Sequence, residues 1–280
     1  MAIKNIDIIC QNSRYVVLNK PSGVLCNGYT PACVLPQITL AFKKWNPDRK
    51  LNPKQFQLVQ RLDRYVSGGM IVSRNKKFTK KLNQSLKGED DSITFTRRYV
   101  GLIKCNGLKN HLKKIDSSKS SLSIDPTLSF GVISLGITKH LSPKARPSST
   151  KFKILYDHLK YVLNDKYPEL FNSYIYPVIF ELKTGRKNQI RDHCLAAFGL
   201  PLLNDDKFLH LKHRQENPNS LLFRSNQIGL HSGFIRIKDE EYQFPIFFEP
   251  DRELWQGFVD ELGNFTEGIQ NELAKPQSLL

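Results

Sequence analysis

The stretch VQRLDRYVSGGMIVS, Val59 to Ser73, sets one carboxylate, Asp63, between two guanidinium groups, Arg61 and Arg64, and then runs through two glycines into an apolar segment. The flanking cations favour the ionised form of Asp63. A carboxylate kept ionised can act as a base or a nucleophile, or can stabilise positive charge growing on a sugar carbon. A surface ion pair would explain the same residues, so the stretch alone leaves both readings open. Ser67-Gly68-Gly69 permits a tight turn and close approach of backbone to a ligand, and Met70 to Ser73 is expected to be a strand.

The wider composition favours a polyanion partner. The 280 residues hold 42 Lys+Arg against 26 Asp+Glu, a net charge of +16, and such an excess points first to nucleic acid. The basic residues are dispersed rather than striped, which argues against membrane binding. No apolar run approaches the roughly 20 residues of a membrane helix, and the opening MAIKNIDIICQNSRYVVLNK lacks the apolar core and cleavage site of a secretory signal. The five cysteines, Cys10, Cys26, Cys33, Cys105 and Cys194, are odd in number and scattered. They predict free thiols in a reducing compartment rather than a disulfide framework, and no Cys/His spacing suits zinc.

Strands are expected to outnumber helices. Ile6 to Leu25 reads as two short strands or a hairpin turning at QNSR, and Ile93 to Cys105, Phe130 to Ile137, Ser149 to Tyr156 and Val178 to Leu182 read as strands. Ile38 to Trp45 is expected to be a short helix. Asn75 to Lys87 places Phe78, Leu82 and Leu86 at helical spacing above a basic face. Asn188 to Phe198 is expected to be a helix, capped by Gly199 and stopped by Pro201. Tyr156 to Tyr174 is expected to be a helix ending near Pro168, and Pro250 to Phe265 a closing helix. Arg49 to Phe56 reads as a polar loop, and the Ser/Lys-rich Lys109 to Ser123 as a surface loop. The mixed order implies an α+β fold with a mixed, mostly antiparallel sheet flanked by helices and loops.

A second anomaly lies in TGRKNQIRDH, Thr184 to His193. On a wheel at about 100° per residue, Arg191 falls inside the apolar arc of Ile190, Cys194, Leu195, Ala197 and Phe198. Asp192 and Gln189 fall on the polar side. An arginine on a buried face stays charged and needs a carboxylate, a phosphate or carbonyls, unless it snorkels at the rim. Asp63 is a candidate partner. In RRYVG, Arg97 to Gly101, a strand tyrosine flanked by arginines could stack on a base or simply pack. Asp205-Asp206 suits a metal-dependent nuclease poorly, because neighbouring strand residues face opposite sides. There is no G-x-S-x-G element, P-loop or G-x-G-x-x-G fingerprint.

Six stretches in order resemble one known family. QRLDRYVSGG resembles the HRLD-x-x-(T/S)SG element of the RluA-type pseudouridine synthases. IDIICQNSRYVVLNKPSGV is similar to their opening strand pair with its N-K-P-x-G turn, and RRYVGLI to their (K/R)-x-Y element. RPSSTKFKIL resembles a P-(A/S)-x-T strand, ELKTGRKNQIRDHCLAAFGLPLLND the L-x-T-G-R-x-H-Q-I-R-x-H element, and LHS at Leu230 to Ser232 a late L-H-A. The departures are Gln60 for His, Val66 for Thr, Asn188 for His and Asn204 for Gly.

The resemblance implies an RNA pseudouridine synthase, an isomerase that works without cofactor or metal on an extruded uridine. It implies that Asp63 is the catalytic aspartate and that Arg61 helps fill the gap left by the flipped nucleotide. Tyr99 would stack on the uracil, and Arg191 would salt-bridge the aspartate. It also implies one catalytic domain over 1–280, acting as a monomer on RNA and not on a membrane. The small N-terminal RNA-binding domain of some relatives is expected to be absent, and insertions are expected near 109–123 and 159–174. Within the family the front end and insertions resemble fungal mitochondrial members acting on large-subunit ribosomal RNA. The first 15 residues show no Arg-rich presequence, and a cytoplasmic or nuclear site and a tRNA substrate remain the alternatives. A non-catalytic RNA-binding or ribosome-assembly protein on the same fold is the rival from another class.

Overall fold

The computed structural model of the chain describes residues 4–45, 55–86, 92–115, 122–139, 142–163, 167, 170–205 and 227–275. The polar loop expected at Arg49 to Phe56 lies outside them except for its last two residues, and so does Asp206. The opening hairpin forms as expected from β1 (Asp7–Gln11) and β2 (Tyr15–Lys20), with Asn12 Oδ1 accepting from Arg14 N and Tyr15 N at the turn. Helix α1 (Val34–Trp45) starts one turn earlier than Ile38. Strands β3 (Gln57–Leu58) and β4 (Ser67–Ser73) follow. Helix α2 (Lys76–Ser85) has Asn75 as its N-cap, the side chain accepting from Lys77 N at 2.8 Å, and it buries Phe78 and Leu82 as their spacing predicts. Then come β5 (Phe95–Lys104), α3 (Leu108–Lys113), β6 (Leu122–Ile124), β7 (Phe130–Lys139), β8 (Ser142–Ile154), β9 (Lys160–Val162) and β10 (Ser173–Leu182). Helix α4 (Gln189–His193) runs on as a π-helical turn, Cys194–Phe198, and ends at Gly199 with φ 63°. Strands β11 (Leu230–Ile237) and β12 (Glu240–Gln243) and helix α5 (Glu267–Ala274) complete the described residues.

The strands make one mixed sheet in the order β1-β2-β4-β11-β5-β10-β8-β7-β6, with β3 beside β4, β9 beside β10 and β12 beside β11. The pairings are antiparallel except β4 with β11, which run parallel through His231↔Ser67 and Ser232↔Gly68. Strand β5 is buried on both faces, so its alternate residues feed two cores. Tyr99 and Ile103 join Val178, Phe180, Ile190 and Phe198 on one face. Val100 and Leu102 join Ile179, Phe234, Trp255 and Leu273 on the other. A third cluster packs Val17, Ile71, Phe78, Leu82 and Ile235 near the opening hairpin.

Four expectations need correction. Gly68 and Gly69 lie inside β4, not before it, and their close approach is to protein rather than to a ligand. A Cβ on Gly68, at φ 112°, would lie 2.4 Å from Ser232 O, and one on Gly69 would lie 2.2 Å from the Phe244 ring. Gly68 thus lets β11 lie parallel against β4, and Gly69 makes room for Phe244. The described residues of Tyr156 to Tyr174 do not form the expected helix: a 3-10 turn at Tyr156–His158 leads into β9, whose Val162 pairs with Ser173 of β10. The closing segment is a 3-10 turn, Glu249–Trp255, followed by irregular chain through Gly257 at φ 89°, and the last helix is α5. Lys109 to Ser123 begins as α3, anchored by buried Leu108 and Leu112, and ends in β6.

Gly68→Ala tests the strand junction. The added methyl meets backbone, and its φ is one that only glycine adopts freely, so a loss of about 2–3 kcal/mol in unfolding free energy is expected. Urea denaturation measures it, and a midpoint equal to wild type would refute the role assigned to the junction.

Candidate active site

Three segments meet on the face of β5 that carries Tyr99. The first is the loop Gln60–Val66 ahead of β4. Its backbone is pinned from both sides: Lys20 Nζ donates to Arg64 O at 3.2 Å, Gly23 N to Arg64 O at 2.7 Å, and Ser22 Oγ to Tyr65 O at 3.2 Å. Cys26 Sγ donates to Leu62 O at 3.1 Å and accepts from Leu62 N at 3.3 Å. Burial pushes the Cys26 thiol up, so it stays protonated and serves as that donor. Lys20 is fully buried, which pushes its pKa down to about 8, and it also donates to Pro21 O and Val24 O. The NKPSG turn therefore acts as a clamp on the loop that carries Asp63.

The second segment is the Thr184–Arg191 turn and helix. Gln189, which the wheel placed on the polar side, is buried. Its Nε2 donates to Ser149 O and Thr150 Oγ1, and its Oε1 accepts from Thr184 Oγ1 and Arg186 N. Helix α4 is thereby tied to β8. His193 is neutral, pushed down to about 4 by burial, with Nε2 at 2.8 Å from Ser148 Oγ. His231 of the LHS element is likewise neutral, pushed down to about 3 by burial, and sits between Ser67 Oγ and Phe244 O. His193 thus ties α4 to β8, His231 ties β11 to β4, and neither lines the cavity.

The third segment is Leu202–Asp205. Arg191, on the buried face as the wheel indicated, reaches Asp63 with Nη1 at 3.1 Å from Oδ2. Its stronger grip is on Asp205, for which the sequence alone suggests only a poor metal ligand. Arg191 Nε donates to Asp205 Oδ2 at 2.7 Å and Nη2 to Oδ1 at 2.5 Å, and Asp205 is fully buried. Burial works against the Arg191 charge, and Asp205 and then Asp63 more than offset it, so its pKa is raised and it is permanently cationic. Asn204 has φ 57°, so asparagine, the side chain best able to take a left-handed backbone after glycine, stands where the family pattern has Gly. Asn188 also has φ 57°, and with its amide nitrogen turned to the carboxylate it donates to Asp63 Oδ2 at 2.7 Å.

Asp63, Arg61, Tyr99 and Arg191 line one open cavity of about 970 Å³, together with Arg97, Arg186 and Asn188. The Asp63 side chain is 28% exposed there. Burial pushes the Tyr99 phenol up, so it presents a neutral ring. Arg61 is exposed on the wall. Arg64 lies outside the ion pair, donating to Gly23 O and lying over the Tyr65 ring. Among the described residues no group of three His, Cys, Asp or Glu side chains could hold a metal, and no helix is long and apolar enough to cross a membrane.

A family model described as RNA pseudouridylate synthase matches residues 14–196, about two thirds of the chain. The chain belongs to the RNA pseudouridylate synthase family. The 21S rRNA pseudouridine(2819) synthase of Candida albicans is 36% identical over 261 residues, covering 89% of this chain and 99% of that protein. The 21S rRNA pseudouridine(2819) synthase of Eremothecium gossypii is 27% identical over 285 residues, covering 96% and 87%. Among solved structures, human RNA Pseudouridylate Synthase Domain Containing 1 shares the fold, with a TM-score of 0.55 at 19% identity over 99% of this chain and 98% of that one. This pseudouridine synthase fold is the α+β arrangement expected from the order of the sequence elements. Family members are isomerases, so the cavity around Asp63 belongs to a chain that converts uridine to pseudouridine in RNA.

Proposed function

We propose that Asp63 is the carboxylate that acts at the ribose, and that the substrate is a uridine of mitochondrial large-subunit ribosomal RNA. The observation that carries the catalytic part is the ion-pair chain Asp205–Arg191–Asp63. It fixes one part-exposed carboxylate at a cavity lined by a neutral aromatic face. The reaction breaks N1–C1′, turns the uracil and joins C5 to C1′. The C5 proton leaves and N1 gains one, so no electrons are exchanged with an outside group. Asp63 either attacks C1′ or removes the C2′ proton. Arg191 holds it in place, and Asp205 holds Arg191. Tyr99 receives the face of the extruded base, and Arg61 on the wall enters the helix that the base has left. Extrusion costs a few kcal/mol, which phosphate contacts of the basic surface offset.

The substrate part rests on the names of the Candida and Eremothecium relatives, both 21S rRNA pseudouridine synthases. The three cores share one sheet, which supports reading 1–280 as one catalytic domain. Transcripts carrying tritium at uracil C5 test the substrate. Release of label from a large-subunit rRNA fragment and none from tRNA transcripts is expected. Release from tRNA alone would transfer the substrate to tRNA, and RNA bound without release from any transcript would favour an assembly role.

A further inference from the structure

One buried cation beside the cavity has no part in the steps above. Arg97 and Arg98 are neighbours on β5, so they leave the sheet on opposite faces. Arg98 is neutralised: its Nε donates to Glu181 Oε2 at 2.9 Å and its Nη1 to Leu273 O at 2.7 Å. Arg97 shares the face of Tyr99 and lines the cavity, yet it has no ion pair among the described residues. It is 4% exposed, and its Nε and Nη2 have no hydrogen-bond partner. The Phe95 ring, 5.6 Å away, offers it a cation–π contact. Burial lowers its pKa. The guanidinium lies against the head of the Thr184–Arg191 turn, where a Cβ on Gly185 would sit 3.4 Å from Nη1.

The geometry of the unpaired edge points to the class of ligand. Nε and Nη2 form one edge of the guanidinium, the same edge with which Arg191 grips both oxygens of Asp205. That edge fits a group with two anionic oxygens. Among the described residues no carboxylate supplies one, and in RNA the phosphodiester does. An unmatched buried guanidinium costs stability, and a substrate that matches it accounts for its presence. Arg186 and Lys187 on the same turn extend the positive wall along which a backbone would run.

We infer that Arg97 binds RNA phosphate: its free edge takes a phosphodiester adjoining the extruded nucleotide, so that the charge of the backbone beside the target is read inside the cavity. This rests on the proposal that the target base is extruded onto Tyr99. The test is a cycle between Arg97→Met and short RNA substrates in which each phosphate flanking the target is replaced, one at a time, by a neutral methylphosphonate. Affinity is read by fluorescence anisotropy.

One of the replacements is expected to weaken wild-type binding roughly tenfold, Arg97→Met to weaken the unmodified RNA by a similar factor, and the two together to add nothing further. Losses that multiply at every flanking phosphate would overturn the assignment. The Arg97→Met melting temperature is expected to equal or exceed that of wild type, because an unmatched buried charge is removed. A clear fall in melting temperature would make Arg97 structural and would also overturn it. Wild type that binds this RNA but forms no pseudouridine in it would count against the proposed function, while the binding cycle would still decide the role of Arg97.

Discussion

Asp63→Asn is expected to lower pseudouridine formation at least about a thousandfold while leaving the melting temperature and RNA affinity close to wild type. The loop around Asp63 is held by hydrogen bonds to its backbone from the side chains of Lys20, Ser22 and Cys26 and from Gly23 N, none of which involves its carboxylate. Asparagine keeps the shape and removes the charge. Arg191 still has both oxygens of Asp205, so no buried cation is stranded. A thousandfold loss corresponds to about 4 kcal/mol of transition-state stabilisation, far more than a rim ion pair supplies. Single-turnover kinetics beside anisotropy measures both quantities. Turnover near wild type would remove Asp63 from the chemistry.

Asp205→Ala is expected to damage both fold and activity. It leaves the Nε/Nη2 edge of Arg191 buried and unmatched, which costs on the order of 3–5 kcal/mol. The freed guanidinium also stops holding Asp63 in one orientation. Urea denaturation is expected to show a much lower midpoint than for Asp63→Asn. At low temperature, where the variant remains folded, the turnover rate is expected to fall more than the affinity for RNA. Asp205→Asn keeps one acceptor and is expected to fall between the two. An Asp205→Ala protein as stable as wild type would contradict the central place given to the buried pair.

The contrast between these two aspartates follows what was legible in the sequence. Arg191 on an apolar arc demanded an anion, and helical spacing placed it correctly, so its pairing with Asp63 could be anticipated across more than a hundred residues. Asp205 could not be anticipated in the same way. It sits beside a second aspartate, which drew the reading towards metals, and only tertiary structure shows that its carboxylate faces the interior. Gln189 was placed on the polar side because a wheel knows nothing of the Thr184 and Ser149 partners that bury it.

Elements with local causes were readable: the Asn75 cap with Phe78 and Leu82, or the Gly199 stop. Elements fixed by distant chain were not. Lys160–Val162 is a strand because β10 offers it an edge, a nonlocal pairing that overrides local preference. The glycines of SGG look like a turn in isolation, and what they accommodate is a parallel strand and the Phe244 ring, both more than 150 residues away.

The most direct measurement of the whole account is pseudouridine mapping, at single-nucleotide resolution, of total RNA from cells in which the only copy of this chain carries Asp63→Asn. One pseudouridine of the mitochondrial large-subunit rRNA is expected to disappear, with the RNA unchanged in length and all other sites retained. A complete set of pseudouridines in those cells would contradict it.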